Sequence, residues 1–208
     1  MQIKVCGITQ IEQASALDAM GVQFIGFIFY APSKRYVLEH LTLEALAAFK
    51  PKNALKVGVF VNEDLEQVKK IVQTAGLDMV QLHGDEDVDY CKSLANYAKI
   101  IKVCRVGAMP PMVTHFESVA DYILFDTDSA LYGGTGNHFN WELLKLTTIK
   151  TPYFLSGGIG ANDIGGIQVL AQTKVGKHLM ALDLNSQFET TPGIKNLEKI
   201  KTFIDALI

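Results

Sequence analysis

Cys6 and Asp126 are the two side chains whose type and setting point to proton transfer. Cys6 lies in Ile3-Lys4-Val5-Cys6-Gly7-Ile8-Thr9, an apolar run that also carries a lysine. Side chains alternate along a strand, so Lys4, Cys6 and Ile8 share one face and Ile3, Val5 and Gly7 the other. The apolar Ile3 and Val5 are expected to meet a layer of helices, which sends Lys4 and Cys6 inward. A cysteine there is either a small buried hydrophobe or, beside an ammonium, a thiolate that can accept a proton. Lys4 serves the second reading, and it serves equally as an ion-pair partner for an inward carboxylate such as Asp183. Asp126 ends the hydrophobic run of Tyr122-Ile123-Leu124-Phe125-Asp126. A carboxyl bordered by apolar side chains resists ionisation and can donate a proton near neutral pH. The other reading is an ionised carboxylate in the turn Asp126-Thr127-Asp128-Ser129, a role that Asp128 and Ser129 fit better.

Other segments look suited to anions. Gly133-Gly134-Thr135-Gly136, Ser156-Gly157-Gly158-Ile159-Gly160 and Asp183-Leu184-Asn185-Ser186 each follow or end an apolar run. Glycines let backbone N–H groups approach an anion, and helix N-termini add partial positive charge. Gly134, Gly136, Gly157, Gly158, Asn185 and Ser186 are the candidate phosphate ligands. Arg35, in Pro32-Ser33-Lys34-Arg35-Tyr36, is either a bidentate clamp for a carboxylate or a solvated loop residue. Gln81, His83 and Asp183 complete the substrate-facing set. The remaining histidines, His40, His115, His138 and His178, have no metal-ligand spacing, and no metal site is expected.

These residues need elements to hold them. Strand candidates are 3–9, 24–30, 56–62, 79–84, 100–106, 122–127, 153–158 and 179–185. Helical candidates are 10–20, 42–50, 63–75, 86–97, 110–119, 140–148, 162–172 and 193–207. Asn62, Asn140 and Asn162 precede helical patterns as caps do, and Gly21 and Gly76 follow helix ends. Strict alternation of strand and helix implies parallel strands. Eight such units predict a closed (β/α)₈ barrel, one catalytic domain over residues 1–208 with short loops. An open doubly wound sheet would want a GxGxxG turn after its first strand, and Gly7-Ile8-Thr9 does not supply one. In a barrel the reacting groups sit at the C-terminal strand ends and the loops beyond. Every candidate above falls there.

The bulk properties narrow the class. The chain has 208 residues and a formal net charge of −3, with no basic block. A nucleic-acid partner is therefore not expected. Three cysteines without a CxxC pair fit a reducing cytoplasm rather than a disulfide framework. No apolar run approaches the roughly 18 residues of a membrane span, and the N-terminus has no signal-peptide pattern.

Taken together, the motifs resemble the phosphoribosylanthranilate isomerase family of tryptophan biosynthesis. The resemblance rests on KVCGIT at 4–9, GFIFYAPSKRYV at 26–37, VGVFVN at 57–62, VQLHGDE at 80–86, FDT at 125–127, GGTGNHFNW at 133–141, SGGIGANDI at 156–164 and PGIKN at 192–196. It implies a phosphosugar substrate bearing an anthranilate ring and an Amadori rearrangement without cofactor or metal. It implies that Cys6 is the general base, that Asp126 is the general acid, and that Arg35 lies near the anthranilate carboxylate. Partners are limited to the small-molecule phosphosugar, with no membrane and no nucleic acid, and the chain is expected as a monomer or homodimer. Two positions depart from the family pattern. Asn185-Ser186-Gln187 stands where a Ser-Ser-Gly-type turn is usual, which predicts weaker phosphate binding or compensation by the Asn185 and Ser186 side chains. Asn140 replaces a usual acid and is expected to cap equally well. Rival barrels, an indole-glycerol-phosphate synthase or a pentose-phosphate epimerase, should carry catalytic lysines or metal-binding His/Asp groups at several strand ends, which are missing. A non-catalytic phosphosugar-binding protein is the remaining alternative.

Overall fold

In a computed structural model, residues 1–128 and 139–207 are described. The chain alternates β1 (Gln2–Val5), α1 (Ile11–Ala19), β2 (Phe24–Ile28), α2 (Leu43–Ala48), β3 (Leu55–Phe60), α3 (Leu65–Ala75), β4 (Met79–Leu82), α4 (Val88–Leu94), β5 (Lys99–Val106) and β6 (Tyr122–Thr127). It continues through α5 (Glu142–Lys145), β7 (Tyr153–Leu155), α6 (Ile164–Ala171), β8 (Leu179–Leu184), the short strands β9 (Glu189–Thr191) and β10 (Ile194–Lys195), and α7 (Leu197–Leu207). Strands β1 to β8 pair in sequence order, and β1 pairs with β8 to close the barrel. The predicted (β/α)₈ architecture is the one observed.

Two apolar clusters hold this arrangement. Phe24, Val57, Met79, Ile101, Val103, Leu124, Phe154 and Ala181 fill the barrel interior. A second, larger cluster joins the outward strand faces to the helices and includes Ile3, Val5, Ile25, Phe27, Phe60 and Phe125. Each such side chain contributes about 1.5–3 kcal/mol when fully buried. Because Ile3 and Val5 belong to the outer cluster, strand alternation turns Lys4 and Cys6 inward, as expected from sequence.

Local chemistry explains where the expected elements hold and where they shift. The helix expected at 110–119 does not form: Pro110 and Pro111 lack N–H donors, and only a turn around Val113–Ala120 closes, with bonds such as Ala120 N to Phe116 O at 2.9 Å. Asn140 caps α5, its Oδ1 accepting from Glu142 N at 3.0 Å. Asn62 does not cap α3. It sits at φ 50° and its Oδ1 accepts from Asp85 N at 2.7 Å, while Asp64 takes the N–H groups of Glu66 and Gln67. Before α6 it is Asp163, not Asn162, that accepts the Gly160 N–H, at 2.7 Å. Gly21 and Gly76 end α1 and α3 at positive φ, as expected. Asp64→Ala should lower stability by about 1 kcal/mol, measured by urea unfolding with activity unchanged.

The β9–β10 hairpin replaces the loop and the first residues of the helix expected over 193–207, so that α7 begins at Leu197. It folds back over the barrel mouth. Thr9 Oγ1 donates to Gly193 O at 2.8 Å, and the Gln13 side chain exchanges two hydrogen bonds with the Lys195 backbone at 2.9 and 3.0 Å.

Candidate active site

Cys6 extends β1 by one residue, its N–H donating to Leu184 O at 2.9 Å. Lys4, one turn of the pleat below, meets Asp183 directly across the β1–β8 register. Its Nζ donates to both Asp183 oxygens at 2.9 Å. Both roles open to Lys4 are taken up: it pairs with Asp183, and it also hydrogen-bonds Cys6 and favours its thiolate. Burial works against the Lys4 ammonium, but Asp183 and a Cys6 anion outweigh it and hold the lysine above its ordinary value. Burial lifts the Asp183 carboxyl against the pull of Lys4. Burial likewise pushes the Cys6 thiol up, opposed by Lys4 and Lys195. Cys6 is only 4% exposed, and it needs Gly26 beside it on β2, where a Cβ would stand 2.9 Å from Sγ.

Asp126 lies at the inner end of β6. Its Oδ1 accepts from Thr127 N at 2.8 Å, and its Oδ2 is 3.3 Å from His83 Nε2. The carboxyl is thus not bordered by hydrocarbon alone. His83 in turn meets Gln81, with Nδ1 3.0 Å from the Gln81 amide nitrogen. Gln81 thereby orients the imidazole with its other nitrogen toward Asp126. Gln81 Oε1 is buried without a partner among the described residues, an acceptor suited to a ligand hydroxyl. Asp183 is coupled electrostatically to Cys6 on one side and to Asp126 and His83 on the other. The thiol and the carboxyl expected from sequence therefore share one mouth.

The third group surrounds Gly7. Arg35 binds Glu189 through Nε and Nη2 at 2.7–3.1 Å, and this pairing raises the guanidinium above its usual value. Lys195 Nζ reaches Glu189 Oε1 at 2.6 Å and Asn185 Oδ1 at 2.8 Å. Burial would lift the Glu189 carboxyl, but Arg35, Lys195 and the Gly193 N–H hold it below its ordinary value. Glu189 and Lys195 were missed in the sequence. Thr191-Pro192-Gly193 between them is a turn signal that marks the hairpin placing them.

The anion-binding candidates divide. Gly157 and Gly158 adopt φ 92° and 71°, a conformation closed to most residues. A Cβ on Gly157 would lie 3.4 Å from Asp126 Oδ1 and strike Thr127. This loop therefore packs directly against the acid. Ser186 opens a single tight turn, Ser186–Phe188. Asn185 commits its side-chain oxygen to Lys195. Gln187 approaches Gly160, with its Cγ 3.7 Å from where a Cβ would stand. The loops after β7 and β8 thus touch. Gly134 and Gly136 lie outside the described residues. Among the described residues no group of three or more His, Cys, Asp and Glu is disposed to hold a metal ion, and no helix is long and apolar enough to cross a membrane.

Fold and site together define a (β/α)₈-barrel protein of the kind that gathers ionisable groups and glycine-rich loops at one mouth. Residues 3–206 match the family described as N-(5'phosphoribosyl)anthranilate (PRA) isomerase, and the chain belongs to that family. A Phocaeicola vulgatus protein named N-(5'-phosphoribosyl)anthranilate isomerase is 38% identical over 210 residues, covering 100% of this chain and 98% of its own. The Thermus thermophilus phosphoribosyl anthranilate isomerase structure superposes with a TM-score of 0.83 at 27% identity, covering 100% of this chain and 98% of its own. A further structure of the isomerase, in complex with reduced 1-(o-carboxyphenylamino)-1-deoxyribulose 5-phosphate, has a TM-score of 0.76 at 29% identity over 100% and 98% of the two chains.

Proposed function

We propose that this chain isomerises N-(5'-phosphoribosyl)anthranilate to 1-(2-carboxyphenylamino)-1-deoxyribulose 5-phosphate, the isomerisation step of tryptophan biosynthesis, with Asp126 as acid and Cys6 as base. Asp126 gives its proton to the furanose ring oxygen. The C1–O bond breaks, and the nitrogen lone pair forms an iminium with C1. The Cys6 thiolate then takes the C2 proton, now acidified, and the electron pair moves to C1=C2 and neutralises the nitrogen. The enolamine loses its C2 hydroxyl proton and gains one at C1 to give the ketone. No atoms enter or leave, in keeping with an isomerase.

The observation that carries this reading is the position of Cys6 and Asp126 on inward strand ends, both coupled to Asp183. Gly157, Gly158 and Ser186 offer backbone N–H groups to the phosphate, Asn185 adds its amide, and Gln81 Oε1 accepts a sugar hydroxyl. Arg35 presents Nη1, the edge not bonded to Glu189, to the anthranilate carboxylate. A reducing cytoplasm keeps Cys6 as the free thiol the chemistry needs.

The test is an assay of the purified chain with N-(5'-phosphoribosyl)anthranilate, following loss of substrate fluorescence together with formation of the ketose. Turnover supports the reading. Tight binding without turnover assigns a phosphosugar-binding protein instead, and neither result sinks both.

A further inference from the structure

Three cations and two carboxylates lie around the sulfur of Cys6. From β1 comes Lys4, and from β8 Asp183, which neutralises it through both oxygens. From the loop after β2 comes Arg35, and from the β9–β10 hairpin come Glu189 and Lys195. Arg35 and Lys195 share the one carboxylate of Glu189. Across the mouth, His83 just past β4 and Asp126 on β6 act electrostatically on Asp183. Lys195 is fully buried as a side chain, and its Nζ is bonded to Asn185, the neighbour of the Leu184 carbonyl that anchors Cys6 N. The same Asn185 oxygen lies 3.0 Å from where a Cβ on Gly7 would stand.

With Cys6 as a thiol, these five groups carry one uncompensated positive charge. Burying net charge is costly, and a buried charge is kept only when paired. Ionising Cys6 brings the cluster to neutrality. We propose that Lys195, delivered by the hairpin, is a positioning residue that favours the thiolate form of Cys6 against burial, its charge being the one the surrounding carboxylates leave uncompensated. Lys4 pulls on the sulfur more strongly, but its charge is matched by Asp183, which pushes back on the thiolate, whereas Lys195 shares the single carboxylate of Glu189 with Arg35. Electrostatics run the same way: burial lowers the Lys195 ammonium, while Glu189 and a Cys6 anion support it.

The inference rests on the reading of Cys6 as the base, and its test needs no substrate, so the two fail separately. The ultraviolet absorbance of the thiolate is titrated with pH as a difference against Cys6→Ser. In Lys195→Met the Cys6 midpoint rises, leaving at least about tenfold less thiolate at a fixed pH below it. Lys195→Arg keeps the charge and stays near the unsubstituted protein. Glu189→Gln removes a carboxylate and moves the midpoint the opposite way, which keeps the test open should Lys195→Met fail to fold. The ascending limb of kcat/KM against pH moves with the midpoint in each variant. An unmoved midpoint in Lys195→Met, or in Glu189→Gln where the first variant does not fold, overturns the proposal.

Discussion

Cys6→Ala is expected to lower kcat by about 10³–10⁴-fold, the upper range for a positioned proton-transfer group, with KM nearly unchanged. The sulfur is the only atom of this side chain that can take the C2 proton, and no other described side chain on β1 replaces it. Alanine fits without strain, because Gly26 already leaves room beside the position. The loss should therefore appear in the chemical step rather than in folding or binding. Single-turnover measurements at saturating substrate separate the two. A near-normal kcat would remove Cys6 from the mechanism.

Asp126→Asn is expected to cost kcat a similar factor, about 10²–10⁴, for a different reason. The amide is isosteric, still accepts the Thr127 N–H and still meets His83. What it lacks is a proton it can release to the ring oxygen. Ring opening then becomes the slow step, and the limb of the pH–rate profile that reports loss of the acid disappears. A Tm close to that of the unsubstituted protein, measured alongside, assigns the deficit to chemistry. Retention of that limb in the variant would place the acid elsewhere.

The barrel was legible because its signal is repeated: eight apolar runs, each followed by a helical pattern, carry the same inference, and the errors are local. The segment at 110–119 has helical periodicity but begins with two prolines, and backbone donors outrank side-chain pattern. Asn62 is displaced as a cap by Asp64, two residues nearer the helix, which takes the helix donors, and before α6 the Asp163 carboxylate turns back to the Gly160 N–H instead of capping the helix. Within the site, strand alternation was enough to turn Lys4, Cys6 and Asp183 to one side. It could not say whether Lys4 would serve the thiol, the carboxylate or both. Lys4 is directly opposed to Asp183 and also hydrogen-bonds Cys6, and the register that sets the first of these is a long-range property. The Arg35–Glu189–Lys195 group was illegible for the same reason: its members come from a loop and a hairpin far apart in sequence, joined only when the hairpin folds back over the mouth.

The Lys4–Asp183 bond spans 179 positions of chain, so the β1–β8 pairing that closes the ring is also the one that builds the floor beneath the base. A partial barrel lacking β8 leaves Lys4 as an unpaired ammonium in an apolar lumen, a state that water and neighbouring strands will resist. Such an intermediate carries no functioning mouth. Recovery of turnover during refolding should then lag the return of helix and strand signal and coincide with the long-separation pairing of β1 with β8, so that the enzyme's own rate reports on ring completion.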